Sequence, residues 1–350
     1  MILADTLIAD DRPLGIGIYT INVVRELLKL RRDIVVLTHT PELFPEAHKK
    51  LAPKETAPKL GKRAALRRLL YLQTLVGRGV LYRTYHSISL FWGGPQIITI
   101  HDIQPIVLPD KYREQTLLYR YFLRPFIGKA DRIITVSERS RADIVEFFNV
   151  KPEKVVVAYP SYDHDLYRPM DPEVARRSLG FDRPYLLLVG ARYPYKNADV
   201  VIRALRKLPY DFVIVGTGEG YARRLLDLSR SLGVEDRVRI FGYVERHKLP
   251  LFYAGSFALV FPSRYEGFGL PVLEAMASGC PVVGTETVVE AGGDAILYAL
   301  PDDPDSWVEA IRKLEQSREE YVRRGLERVK GFSWKRTAER INEVLSEYAP

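Results

Sequence analysis

Two carboxylates eight positions apart, Glu266 and Glu274, lie in the stretch FPSRYEGFGLPVLEAMASGCPVVG that runs from Phe261 to Gly284. Gly267 and Gly269 stand between them, and glycine lets backbone N–H groups approach a ligand closely. Pro271 suits the first turn of a helix, whose N-terminal amides and dipole favour an anion. Such a loop can offer carboxylates to hydroxyl groups and amides to negatively charged oxygens. Taken singly, each glutamate also fits a plainer role, Glu274 complementing a helix dipole and Glu266 solvated in a loop. Arg192 and Lys196 stand four apart, directly after the apolar run 185–189. Two cations so placed can grip a diphosphate, each charge-assisted contact being worth about 1.5–3 kcal/mol; a solvated basic loop has the same pattern. His101-Asp102 closes another apolar run and could be a metal-site fragment or a catalytic dyad. No second histidine stands at ligand spacing, which argues against zinc. Gly15 and Gly17 follow the first apolar segment, where amides can face a phosphate, although G-x-G alone also makes a plain turn. Asp163-His164-Asp165 has the D-x-D pattern that can hold a divalent metal.

The elements that must position these residues alternate. An apolar run ending at Phe261 reads as a buried strand, followed by a polar loop over 263–270. A helix follows over Val272–Ala277 and stops at Ser278-Gly279, the glycine suiting a left-handed position after the last turn. Pro281-Val282-Val283 starts the next strand. Strand, loop, helix and strand place the loop at the carboxyl end of a strand, where ligands bind in open parallel sheets. A similar series opens the chain: residues 1–4 and 7–9 as the first strand, then a helix with Ile21, Val24, Leu27 and Leu28 on one face. Further strands are expected at 33–38, 97–100, 132–137 and 155–159, with a helix over 139–148 that Ser137 with Ser140 could cap. A second α/β series begins after Pro169, with strands at 185–190, 211–216 and 238–244, a glycine turn at 217–220, and helices at 306–315 and 332–348. A length of 350 residues suits about two such domains.

Together these motifs closely resemble the retaining glycosyltransferases of family 4. The resemblance rests on PSRYEGFGLPVLEAMASGCPVV, on VGARYPYKN around Arg192 and Lys196, on TIHDIQPIVLP around His101, and on Gly242-Tyr243-Val244. It spans nearly the whole chain, strongest from Tyr185 to Gly293 and weakest from Leu43 to Gly93. It implies an α/β fold of the GT-B type, two Rossmann-like domains facing a cleft. Residues 1–168 would be the acceptor-side domain, 169–330 the nucleotide-sugar domain, and 331–350 a helix returning to the first. Glu274 would hold ribose hydroxyls, while Glu266 and the amides of Gly267, Phe268, Gly269 and Leu270 would hold the transferred sugar. Tyr243 and Val244 would touch the base, His101 would line the active site against the sugar, and the Gly15 and Gly17 amides would face the diphosphate. Arg192 and Lys196 would neutralise the leaving diphosphate, so that no metal or other cofactor is needed. Asp163-His164-Asp165 falls where the family has a linker.

The reaction so implied moves a hexose from a nucleoside diphosphate sugar to a glycan, lipid-linked or small-molecule acceptor, with retention. No carboxylate pair argues for a double displacement; attack on the departing face, assisted by a phosphate oxygen, is the family's usual scheme. GIGIYT and HDIQP are similar to the mannosyltransferase-like branch, which puts GDP-mannose ahead of UDP-glucose. Another GT-B activity, such as a UDP-sugar epimerase or a sugar phosphate synthase, is the alternative.

The net charge is +8 and the pI about 9.3. From Ala47 to Ile100 ten basic residues (Lys49, Lys50, Lys54, Lys59, Lys62, Arg63, Arg67, Arg68, Arg78 and Arg83) face one acid, Glu55. With Ala64, Ala65, Leu66, Leu69, Leu70 and Leu72 interleaved, residues 49–83 suit a helix on an anionic bilayer, or a solvated basic face with its apolar side in the core. A nucleic-acid partner is not expected, because no RNP-type aromatic motif or reader helix is present. The single cysteine, Cys280, excludes an internal disulfide. Asp5, Asp10 and Asp11 interrupt the first apolar residues as no secretory signal does, and no run reaches the roughly 18–20 apolar residues of a membrane span. The expectation is a cytoplasmic protein, peripheral on the inner face of the membrane if the basic segment binds lipid.

Overall fold

The computed structural model describes residues 1–10, 15–109 and 113–350, the side chains of Lys59 and Lys62 excepted. The chain divides into two compact units, Met1–Pro160 with Ser333–Pro350, and Ser161–Phe332. Residues 161–168, placed with the first domain from the sequence, thus go with the second. Tyr167 packs edge-on against Tyr253, ring centroids 5.9 Å apart, and Arg246 meets Asp163 at 3.3 Å. Phe332 also stays there, its ring 5.7 Å from that of Phe268.

The first unit is built on seven strands: β1 (Ile2–Asp5), β2 (Ile34–Thr38), β3 (His48–Leu51), β4 (Val80–Arg83), β5 (Gln96–Thr99), β6 (Arg132–Thr135) and β7 (Val155–Val157). All pair in parallel, in the order β3-β2-β1-β4-β5-β6-β7. Most are buried along their length, as strands covered on both faces must be. The order reverses between β1 and β4, which makes the carboxyl ends of those two strands a topological switch point. β1 is shorter than the apolar pattern suggests. Leu7 and Ala9 stay buried but leave the ladder, because Asp5 Oδ1 takes the Leu7 N–H at 3.0 Å and Ala9 N–H closes a turn onto the Thr6 carbonyl.

The basic segment is divided among several elements. Lys49 and Lys50 lie on the exposed edge strand β3, where charge deters the addition of another strand. The helix Lys62–Gln73 buries Ala64 and Leu72. Its Arg63, Leu66, Arg67 and Leu70, at i, i+3, i+4 and i+7, form one outward face on which Leu66 and Leu70 are each 59% exposed. Arg83 does not belong to any basic surface: it is the last residue of β4 and wholly buried against Asp5. Ser137 caps the helix Glu138–Phe148 by accepting the Ser140 N–H at 3.0 Å. The last helix, Trp334–Ser346, packs on the helix Gly15–Leu30 and so returns to the first unit. Thr337 Oγ1 donates to the Tyr159 carbonyl at 2.6 Å, and Arg31 donates to Ser346 Oγ at 3.0 Å.

The second unit has six parallel strands: β8 (Tyr185–Val189), β9 (Asp211–Val215), β10 (Val238–Phe241), β11 (Ala258–Phe261), β12 (Val282–Gly284) and β13 (Leu297–Tyr298). Their order, β10-β9-β8-β11-β12-β13, reverses between β8 and β11. The helix after β11 runs Leu270–Ala277 and is buried through Val272, Leu273, Ala275 and Met276. Gly269 begins it at φ +99°, and a Cβ there would come within 2.7 Å of Val288 Cγ1, so only glycine fits. The helix expected at 306–315 is the first part of a longer one, Pro304–Val329, interrupted by non-helical backbone at Ser317. No described helix is long and apolar enough to cross a membrane.

Candidate active site

In the second unit the two sequence-predicted loops meet at the β8/β11 switch point. After β8 the chain turns at Gly190, makes one turn over Pro194–Lys196, and reverses at Asn197, which takes a left-handed φ of +57°. Arg264 N–H donates to the Tyr195 carbonyl at 3.0 Å and ties the loop after β11 to it. The result is an ion pair: Lys196 Nζ donates to Glu266 Oε1 at 2.6 Å, the residues only 9% and 8% exposed. Lys196 Nζ also lies 5.0 Å from the Phe261 ring centroid and 5.3 Å from that of Tyr195. Ring faces and a carboxylate together offset the cost of holding an ammonium away from water. Arg192 does not join them. It is exposed, 5.5 Å over the Tyr193 ring, and lines a cavity of about 360 Å³ with Gly218, Glu219, Tyr221 and Arg224. The two cations are therefore held by different partners, Lys196 by Glu266 and Arg192 by the Tyr193 ring.

Glu274 is the fifth residue of its helix, not part of the first turn as the sequence suggests, so complementing the helix dipole is not its role. Its Oε2 accepts the Tyr253 hydroxyl at 2.8 Å. Burial raises the carboxyl pKa above the usual range, while Tyr253, Tyr167 and Arg246 act to lower it. Tyr253, Tyr167 and Arg246 are not singled out by the sequence, since each stands far along the chain from Glu274. Asp163 Oδ1 accepts the N–H groups of Asp165 and Leu166, and its other oxygen faces Arg246, so D-x-D here shapes the linker. The described residues contain no group of three or more His, Cys, Asp or Glu side chains placed to hold a metal.

Phe268 is buried against Phe332, which leaves the loop 267–270 its backbone, not that ring, to meet a ligand. Tyr243, 68% exposed, and Val244 follow β10 at the sheet edge, two strands from the switch point.

In the first unit His101 follows β5. Its Nε2 lies 3.0 Å from the Thr84 carbonyl, and its ring meets Tyr19 edge-on at 4.6 Å. Tyr19 in turn meets Trp334, 5.9 Å between centroids. Burial pulls the His101 pKa down to about 4 against the opposing pull of the Thr84 carbonyl, so the ring is neutral at pH 7. Nε2 then carries the hydrogen and Nδ1 is left as an acceptor. Asp102 is not its partner in a dyad: Oδ1 takes the Gln104 N–H at 2.9 Å. Gly15 and Gly17 lie within the helix Gly15–Leu30 rather than in a loop before it, so the amides they contribute are those of a helix N-terminus. Leu14, read with them, lies outside the described residues.

Comparison with known proteins assigns both halves of the chain. Residues 171–327 match the family model described as glycosyl transferases group 1, and residues 14–166 match glycosyltransferase family 4. The O-antigen chain mannosyltransferase RfbU of Salmonella typhimurium is 34% identical over 238 residues, 67% of this chain but 64% of its own length, less than two thirds. The O-antigen chain mannosyltransferase B of Escherichia coli is 33% identical over 264 residues, 70% of this chain and 69% of its own. The sucrose-phosphate synthase of Thermosynechococcus elongatus shares the fold, with a TM-score of 0.76 at 18% identity over 99% of this chain and 98% of that one. With one family model on each half of the chain and two relatives above 30% identity, the chain belongs to the group 1 and family 4 glycosyltransferases, of the two-domain Rossmann-like GT-B fold.

Proposed function

We propose that this chain transfers a hexose from a nucleoside diphosphate sugar to a hydroxyl acceptor, with retention and without a metal ion. The observation that carries the reading is the Lys196–Glu266 pair at the β8/β11 switch point, with the Glu274 carboxylate on the next helix. An arriving diphosphate would compete with Glu266 for Lys196 and free that carboxylate to accept sugar hydroxyls. Arg192 would swing from Tyr193 onto the same diphosphate, and the amides at Gly269 and Leu270 would add a helix N-terminus. Glu274, oriented by Tyr253, would hold the ribose hydroxyls. As the bond from the anomeric carbon to the diphosphate breaks, charge grows on the diphosphate oxygens, where fixed cations stabilise it most. The acceptor oxygen would bond to the anomeric carbon on the face just vacated, its proton passing to a diphosphate oxygen. In the first unit, neutral His101 would keep Nδ1 as an acceptor for a substrate hydroxyl. Mannose from GDP-mannose is the first choice, ahead of UDP-glucose, because two relatives above 30% identity are named as O-antigen chain mannosyltransferases.

The outward face of the helix Lys62–Gln73, with Arg63, Arg67, Leu66 and Leu70, would rest on an anionic membrane, making the protein peripheral at the site of a lipid-linked acceptor. The donor is tested with a panel of nucleotide sugars, scored by thermal shift and by release of nucleoside diphosphate. GDP-mannose should stabilise the protein and turn over; a panel with no stabiliser and no turnover would overturn the reading.

A further inference from the structure

We infer that the first unit binds a phosphate group of the acceptor through Arg68, beside the β1/β4 switch point. The inference rests on the transferase reading and adds to it the chemistry of the acceptor. Asp5 and Arg83 are the last residues of β1 and β4, and both are wholly buried. Asp5 Oδ2 lies 3.9 Å from Arg83 Nε and accepts the Tyr85 hydroxyl at 3.1 Å, while Oδ1 takes the Leu7 N–H. Arg83 spends Nη1 on Ser87 Oγ at 2.8 Å, and its Nε and Nη2 find no hydrogen-bond acceptor. One carboxylate thus already serves one guanidinium. Arg68 is a second guanidinium on this side, 5.9 Å over the ring of Tyr85, whose hydroxyl meets Asp5. Among the described residues, two guanidiniums then face one carboxylate.

Arg68 is half-buried, unlike its helix neighbours Arg63 and Arg67. Its position is fixed by neutral groups alone: Nη1 donates to the Thr56 carbonyl at 3.1 Å, and the guanidinium lies 5.9 Å over the Tyr85 ring. Among the described residues no carboxylate comes within ion-pair distance of it, whereas Arg31, Arg132 and Arg141 of the same unit each have one. Asp102, at the end of β5, takes the Gln104 N–H with Oδ1. His86 and His101 are neutral at pH 7 and do not supply an anion. A half-buried guanidinium fork with no counter-ion among the described residues fits the paired oxygens of a phosphate.

The test uses the whole chain with its donor site saturated by nucleoside diphosphate, so that Arg192 and Lys196 are occupied, and titrates inorganic phosphate by calorimetry. The unsubstituted chain should bind phosphate. Arg68→Gln should bind it at least tenfold more weakly, Arg68→Lys should fall between, and Arg32→Gln, at an exposed arginine, should match the unsubstituted chain. Melting curves identify any variant that fails to fold, and Arg68→Lys then carries the test. Phosphate can come from a soluble sugar phosphate or from a lipid-linked one. Competition by glycerol 3-phosphate points to the first, and Arg68-dependent sedimentation with phosphatidic acid vesicles points to the second. Phosphate affinity unchanged in Arg68→Gln, or no phosphate binding by the unsubstituted chain, would overturn the inference. Weaker binding of the nucleoside diphosphate itself in Arg68→Gln would overturn it too, by moving Arg68 to the donor. Failure of the transferase reading shows separately, as no nucleoside diphosphate binding by the unsubstituted chain.

Discussion

Replacing Glu266 with glutamine keeps the shape of the side chain and removes its charge. Lys196 would then hold a buried ammonium against the Phe261 and Tyr195 rings with only an amide oxygen to accept from it. Removing one partner of a buried pair costs about 3–5 kcal/mol. Because the amide oxygen retains a hydrogen bond, about 2–3 kcal/mol is the expected loss. Residues 161 to 332 make a unit of 172 residues (332 − 161 + 1). At about 2–4 °C per kcal/mol for a unit of that size, the melting temperature should fall by roughly 4–12 °C. A bound diphosphate supplies the missing anion. A charge-assisted contact worth about 1.5–3 kcal/mol predicts nucleoside diphosphate binding tightened by roughly 10- to 150-fold. Turnover should fall all the same, since Glu266 is assigned to the transferred sugar. Calorimetric melting and titration with GDP and UDP measure both effects. Weaker nucleoside diphosphate binding in Glu266→Gln than in the unsubstituted chain would refute the assignment of Lys196 to the diphosphate.

Three further outcomes are expected. Tyr253→Phe removes the hydroxyl that orients Glu274, so steady-state kinetics should show the donor KM rising roughly tenfold or more with kcat nearly kept; an unchanged KM would detach Glu274 from the donor. His86 and His101 are held at about 4 in the folded chain against about 6.5 when unfolded. The unfolded chain then binds more protons between those values, so stability is full above pH 6.5 and is lost as pH falls towards 4, with a ceiling of about 3 kcal/mol for each histidine. Urea midpoints at several pH values should fall less steeply for His101→Gln, and equal slopes would contradict the burial argument. Leu66→Asn with Leu70→Asn should reduce sedimentation with anionic vesicles, and binding by the unsubstituted chain should weaken as salt rises past about 0.1 M, where the Debye length is near 10 Å; no binding at low salt would return this face to solvent.

The loop and helix over 261–284 were legible because several local signals agree: an apolar strand end, Pro271 in the first turn, and a glycine at each end of the helix. Gly269 and Gly279 indeed take positive φ. The Ser137 cap was legible for the same reason, its partner lying three residues away. What the sequence hides depends on distant partners. Arg83 counts as one more cation in a basic segment until β4 pairs with β1 and brings it to Asp5, 78 positions earlier (83 − 5). β3 carries His, Lys, Lys and Leu, all exposed, and has no apolar alternation by which to be read as a strand. Leu7 and Ala9 mislead the other way, being apolar and buried yet turned out of the ladder by the Asp5 carboxylate. The Lys196–Glu266 contact joins loops 70 positions apart, and no spacing rule within either loop predicts it.

The most direct test follows the anomeric proton by NMR while the protein turns over GDP-α-mannose in excess EDTA, read before the released sugar can equilibrate. Retention without a metal predicts GDP release with the α anomer formed first, and loss of that release in Lys196→Ala. A β anomer formed first would contradict retention, and turnover abolished by EDTA and restored by Mg²⁺ or Mn²⁺ would contradict the assignment of the departing diphosphate to Lys196 and Arg192.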